Sequence, residues 1–255
     1  MNEKSLVFLF RDRTFPRVFN WGMLLLFSLF SFTTILSESG DMWMADKLDY
    51  KKEYKDLYLP KAKPMLVEVP PIHFIMVDGK GAPEDVEYQN AVRALYALSF
   101  TIKMSKMGGM QPEGYFEYVV PPLEGLWYGD KGRFETDRRG EWMWISMIRQ
   151  PEFVTPDVFA WAAGECRRKK PDVDVSRARL ETFREGLCVQ MMHIGPYAKE
   201  AETIGTLHRY IEENGLKDMT GMERKHHEIY LGDPRRTAPE RLKTVLRLPV
   251  ERKEA

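Results

Sequence analysis

Hydrophobic positions along this chain switch between two periods. Runs of period two fall at 65–77 (MLVEVPPIHFIMV), 114–120 (GYFEYVV), 141–149 (EWMWISMIR), 187–194 (LCVQMMHI), 225–231 (KHHEIYL) and 242–250 (LKTVLRLPV), and each predicts a strand. Pro70-Pro71 interrupts the first run, so a bulge or an edge is expected there. Helical spacing separates the strands. Over 85–104, Val92, Leu95, Tyr96, Ser99 and Ile102 recur on one face. Thr155-Pro156-Asp157 supplies a cap, a first-turn proline and an acid near the helix dipole, starting a helix that Pro171 stops. A third helix is expected over 198–214, with Ile204, Leu207 and Ile211 inward and Gly215 closing it. The charged lead-in before Lys63 carries Tyr50, Tyr54 and Tyr58 at four-residue spacing, which suits a short helical turn.

The order is strand, glycine turn, helix, strand, strand, and then the same again. It predicts an α+β fold of two strand–helix–strand–strand repeats related by a pseudo-twofold, with antiparallel sheets and helices on one face. In this register Glu117 is the counterpart of Glu228. A cleft between paired repeats is a natural ligand site.

Candidate chemistry centres on KHHEIYLGDPRR, 225–236. Strand alternation puts His226, Glu228 and Tyr230 on one face, and His227, Ile229 and Leu231 on the other. With Ile229 and Leu231 toward a core, Glu228 and Tyr230 make either a ligand site or the wet face of an edge strand. A carboxylate buried among aromatics can act as a base on water, or, when ionised, attract a cation. A phenol beside it can donate a hydrogen bond to an oxygen that gains charge. Glu124, between a Pro-Pro break and Gly125, is either a loop ligand or a turn residue. Trp127 and Tyr128 suit a wall that stacks on a flat ligand, and Trp144 shares a strand face with Trp142, as core or as wall. Tyr197, after Gly195-Pro196, starts a helix that can lean over a cleft. No metal is expected: His226 and His227 point to opposite faces, and HExxH is absent. No cofactor motif appears either, since the chain lacks a P-loop and a nucleophile elbow.

Bulk composition narrows this further. The chain has 255 residues, 44% of them hydrophobic, with 38 basic against 38 acidic side chains. A neutral chain gives no support to a large nucleic-acid footprint, which needs a basic excess to replace counterions, nor to an acidic DNA mimic. Two cysteines outside any CxxC fit a reducing, cytoplasmic compartment rather than a disulfide scaffold. Fifteen methionines and six tryptophans suit an adaptable apolar pocket as well as a core. The stretch 18–36 (VFNWGMLLLFSLFSFTTIL) is nearly long enough to span a bilayer and follows Arg11, Arg13 and Arg17. Residues 1–43 are then a signal or membrane anchor, or they precede a true start at Met42 or Met44, leaving 44–255 as the functional domain. A membrane partner is expected only if that stretch is an anchor.

Three motifs in order, YVVPPLEGLWYGD (118–130), EGLCVQMMHIGPYAKE (185–200) and KHHEIYLGDPRR (225–236), resemble the GyrI-like small-molecule-binding proteins. The likeness covers about 47–252. It implies a duplicated strand–helix–strand–strand fold with an aromatic cleft, and a bulky, flat, often cationic or electrophilic ligand. It places His193 near that cleft. Transcription regulators of this kind add a helix-turn-helix domain, which this chain does not show, so direct nucleic-acid binding is not expected. Stand-alone members are similar to hydrolases of cyclopropane-bearing DNA alkylators. The alternatives are a non-catalytic multidrug-binding or sequestering module and a gyrase-interacting protein.

Overall fold

The computed structural model describes residues 47–129, 139–221 and 224–253; the apolar segment 1–43 lies outside these. The chain enters through two single-turn helices, α1 (Tyr50–Glu53) and α2 (Lys55–Tyr58). Asp49 starts α1 by accepting the Lys51 N–H at 3.1 Å. The spacing of the three tyrosines then pays off in packing. Tyr50 and Tyr58 are buried, and the guanidinium of Arg149 lies 4.3 Å from the Tyr50 ring and 4.2 Å from that of Tyr54.

Seven strands follow: β1 (Met65–Lys80), β2 (Leu123–Gly129), β3 (Trp142–Arg149), β4 (Arg179–Ile194), β5 (Leu216–Asp218), β6 (His226–Tyr230) and β7 (Lys243–Arg252). All their pairings are antiparallel, in the order β4-β1-β3-β2-β6-β7-β5, and β4 also pairs with β7. That last pairing closes six strands into a barrel and removes the open edges the two expected sheets would have had. Pairings β1–β3 and β3–β2 lie within the first half and β4–β7 and β7–β6 within the second, and β1–β4 and β2–β6 join the halves. The short β5, which lengthens the β7 edge, has no signal in the alternation.

One strand expectation changes, and another resolves to one of its alternatives. Segment 114–120 is not a strand; it touches the rest of the backbone ladder only through a Leu48–Tyr118 bridge. Its aromatics instead build a cluster in which Tyr115, Phe116 and Tyr118 surround Phe153, at 5.2, 5.3 and 6.0 Å between ring centroids. The strand is 123–129, so Glu117 is not the counterpart of Glu228. It pairs with Lys106 at the surface, and the residue opposite Glu228 is Gly125. In β1 the register with β4 is the same on both sides of Pro70-Pro71 but skips Pro70; both prolines are exposed, and the buried series shifts from Val69 to Ile72. They sit where β1 has a neighbour on one side only, because β3 begins pairing at Phe74; a missing N–H costs least there.

The helices lie outside the barrel. α3 (Val86–Lys103) buries Tyr88, Ala91, Leu95, Leu98 and Ile102. α4 (Pro156–Lys169) packs on α3, with Thr155 capping it by accepting the Val158 N–H. α5 (Glu200–Glu213) lays Leu207 and Ile211 on Val189, Leu246, Leu248 and Val250 of β4 and β7. Gly215, with φ +63°, ends it in the left-handed conformation that glycine adopts without strain. Among the described residues no helix is long and apolar enough to cross a membrane.

Candidate functional site

Strand β6 is no edge. It runs between β2 and β7, and both its faces are buried, so each alternating set of side chains meets a different interior.

The outward face carries Glu228 beneath the helices. Its Oε2 accepts the Tyr230 hydroxyl at 2.7 Å, and Tyr230 in turn accepts the Trp127 indole N–H at 2.8 Å. Its Oε1 lies 3.2 Å from His226 Nε2. One carboxylate is thus held by an indole–phenol chain on one side and an imidazole on the other. The room for this comes from Gly125, directly opposite Glu228 in the ladder: a Cβ there would sit 2.8 Å from the Trp127 nitrogen and 3.3 Å from the Tyr230 oxygen.

Aromatic rings surround the group. Tyr88 of α3 stacks on Trp127 at 5.6 Å and meets Trp144 edge-on at 5.1 Å; Trp142 meets Trp127 edge-on at 5.8 Å, and Tyr197 meets Tyr230 at 6.0 Å. Burial, and then the nearby Glu228 charge, push the Tyr230 hydroxyl well above its ordinary value, so it stays a donor.

A second carboxyl completes the cage. Glu200, the first residue of α5, is 8% exposed, and its Oε1 has no hydrogen-bond partner among the described residues. The Thr244 hydroxyl of β7 lies beside it without a well-aligned hydrogen bond. Burial first, and the Glu228 charge second, raise the Glu200 carboxyl to about 9, against the pull of Thr244. Burial is the main cause, so at neutral pH the Glu200 carboxyl keeps its proton.

The inward face is different. His227 Nδ1 lies 3.0 Å from Glu185 Oε2, and Nε2 lies 3.0 Å from Glu124 Oε2, off the line of the ring N–H. Arg247 donates to Glu185 at 2.7 Å, to Gln190 at 2.9 Å and to the Leu57 carbonyl at 2.9 Å; Tyr58 donates to Glu124 at 3.2 Å. Burial alone would lower the His227 value, but the Glu185 charge and the two carboxylate contacts outweigh it and raise it to about 9. Burial would raise Glu185, but His227 and Arg247 hold it at about 2. Two carboxylates and two cations thus fill the barrel. The space left, about 10 Å³ among Leu57, Glu124, Glu185, His227, Ile229 and Arg247, holds one water at most.

The fold brings together Glu228, Tyr230, Trp127, Trp144 and Tyr197. Glu124 does not join them: it points into the barrel, to the far side of β2. Tyr128 shares that side and lies under Lys225, whose Nζ is 4.8 Å from the ring centroid. His193 has both ring nitrogens engaged, Nδ1 with Thr203 Oγ1 at 2.8 Å and Nε2 with the Pro196 carbonyl at 3.2 Å, so it braces the turn that presents Tyr197. Glu200, Tyr88, Glu185 and Arg247 were missed. Tyr88 had a signal, extending the helical series Val92–Leu95 by one turn. Glu200 had none, because an acid in a first helical turn is ordinary. Among the described residues no group of three or more His, Cys, Asp or Glu side chains is arranged to hold a metal ion.

A closed antiparallel barrel with outer helices, carrying a carboxylate in an aromatic cage, defines a small-molecule-binding α+β domain. The model of the GyrI-like small molecule binding domain matches residues 62–251, and the chain belongs to that family. Two solved structures from Listeria innocua are similar over 80% of this chain and 100% of their own. An uncharacterized conserved protein is 54% identical with a TM-score of 0.78, and a protein described as a hydrolase is 53% identical with a TM-score of 0.75. No curated protein matches the chain.

Proposed function

We propose that this protein binds flat, aromatic electrophiles in the outer cage and hydrolyses them, with Glu228 as the base on water. The observation that carries the reading is the Glu228 carboxylate fixed by Tyr230 and His226 inside a ring of Tyr88, Trp127, Trp144 and Tyr197. The similar Listeria protein described as a hydrolase supports it. For a cyclopropane-bearing alkylator, water attacks a ring carbon while Glu228 takes its proton. The C–C bond of the strained ring breaks, and its electron pair moves through the conjugated system onto the carbonyl oxygen. Tryptophan and tyrosine rings hold the flat substrate in line. Tyr230 already donates to Glu228, so it orients the base rather than serving the substrate.

In this reading the two halves are repeats related by a pseudo-twofold, the two buried, unpaired cysteines suit the cytoplasm, and the role is detoxification. The test is turnover of a spiro-cyclopropyl cyclohexadienone, followed by the rise of the ring-opened phenol. The wild type should exceed the uncatalysed rate, and Glu228→Gln should lose at least 100-fold. Quenching of tryptophan fluorescence by the probe with no product from the wild type would sink the enzymatic reading and leave a sequestering module.

A further inference from the structure

The outer face of α3 carries a second apolar stripe. Phe100, Met104 and Met107 recur at i, i+4 and i+7, and the stripe runs on through the 3-10 turn Ser105–Gly108 that follows the helix. α3 buries its Leu95, Leu98 and Ile102 side, so the three residues of the stripe stay 46%, 45% and 75% exposed. With Trp161 of α4 and the paired lysines Lys169 and Lys170 they line a groove of about 310 Å³, at the small end of ligand pockets. Stacking on Tyr96, at 6.2 Å between centroids, holds the Phe100 ring, and a Cβ on Gly108 would meet nothing within 4 Å, so the groove is open there. Single exposed apolar side chains are ordinary; a contiguous aromatic and thioether surface marks an interaction site. Methionine side chains adapt to an irregular apolar ligand.

The charge beside this surface has one sign. Arg167, Arg168, Lys169 and Lys170 follow one another, and the acid before them, Glu165, takes Arg168 at 2.8 Å and Lys169 at 2.6 Å. Asp172 is turned to Arg93 of α3 at 2.9 Å. Lys170 has no carboxylate partner among the described residues. The C-terminal end of α4 explains why basic residues gather here, but not why they border an apolar floor. Phe100 lies roughly 18 Å along α3 from Tyr88 of the cage, so the groove is a separate place.

We propose that this groove is a second ligand site and that it takes a medium-chain fatty acid, with the acyl chain on Phe100, Met104, Met107 and Trp161 and the carboxylate on Lys169 and Lys170. The inference does not depend on the hydrolytic reading of Glu228, whose carboxylate would repel such a ligand.

The experiment follows the methionine methyl resonances of the full chain, labelled with methyl-¹³C methionine, during titration with decanoate below its micelle concentration. Met104→Gln and Met107→Gln assign the two resonances. Both should shift saturably, and the other methionines should stay in place. Octanoate should bind about tenfold more weakly, since each buried methylene is worth about fourfold. Lys169→Glu/Lys170→Glu should weaken decanoate binding at least tenfold, and decyltrimethylammonium should move neither resonance. The double variant should bind the ring-opened phenol as wild type does, which shows that it is folded. Absence of a shift at Met104 and Met107, shifts spread over all the methionines, equal binding of the cationic amphiphile, or decanoate binding untouched by the charge reversal would each overturn the site. Shifts produced by phosphatidylglycerol vesicles and not by decanoate would also overturn it, making the face a membrane contact instead.

Discussion

Keeping a carboxyl protonated in a dry cage lowers stability, and its removal should be measurable. Glu200→Gln keeps the shape and removes the ionisation. In the unfolded chain Glu200 titrates near 4.5; in the fold its value is about 9. The sign follows directly. Below pH 4.5 the group is protonated in both states and contributes nothing. Above it the unfolded state gains the freedom to ionise, so stability falls as pH rises, until the folded group also ionises near 9. At pH 7 the interval of 2.5 pH units corresponds to about 3 kcal/mol. The variant should therefore melt about 6–12 °C above wild type at pH 7, given about 2–4 °C per kcal/mol for a domain of this size. The difference should shrink to within about 2 °C at pH 5. Scanning calorimetry of both proteins from pH 5 to 8.5 reads this as a difference, so every other titrating group cancels. A gap that does not change with pH, or a variant less stable than wild type at pH 8, would refute the protonated Glu200. A gain in stability on removing the acid is the outcome expected where a site stores unfavourable burial.

Two more outcomes separate the faces of β6. Arg247→Met should cost about 3–5 kcal/mol in urea denaturation, because Glu185 keeps its burial and loses a cation, while affinity for the ring-opened phenol changes less than threefold; a cost under about 1 kcal/mol would show that the barrel interior is wetter than the structure has it. Gly125→Ala should do the reverse: its methyl displaces the Trp127 indole and breaks the Trp127–Tyr230 bond, weakening phenol binding about tenfold, and unchanged binding by tryptophan fluorescence would count against the cage.

Much of this was legible locally. Alternation located β1, β3, β4, β6 and β7, the Thr155-Pro156 cap located α4, and Gly215 located the end of α5, because each depends on neighbours within a few residues. Segment 114–120 failed for an instructive reason. Its aromatics have strand propensity, but that propensity reflects packing on a half-buried surface, and here Phe153 supplies the surface without a ladder. Glu124 shows the same limit at the site. Its place after Pro121-Pro122 suggested a loop or a turn, but it lies inside β2, where a single position decides which of two buried faces it joins, and a one-residue difference from Gly125 put it in the barrel.

The sequence by itself determined that Glu228 and Tyr230 share a face, since strand geometry allows nothing else. It also determined that the chain is an α+β domain of the GyrI-like kind. Only the tertiary structure decided that the opposite face is equally buried, because that depends on β4 closing onto β7 across many intervening residues. Closure made His227, Glu185, Glu124 and Arg247 a neutral internal network, and it turned Glu228 outward under α3 and α5. It also brought Glu200 to Glu228, two acids with ordinary local surroundings whose chemistry arises from sharing one dry cage.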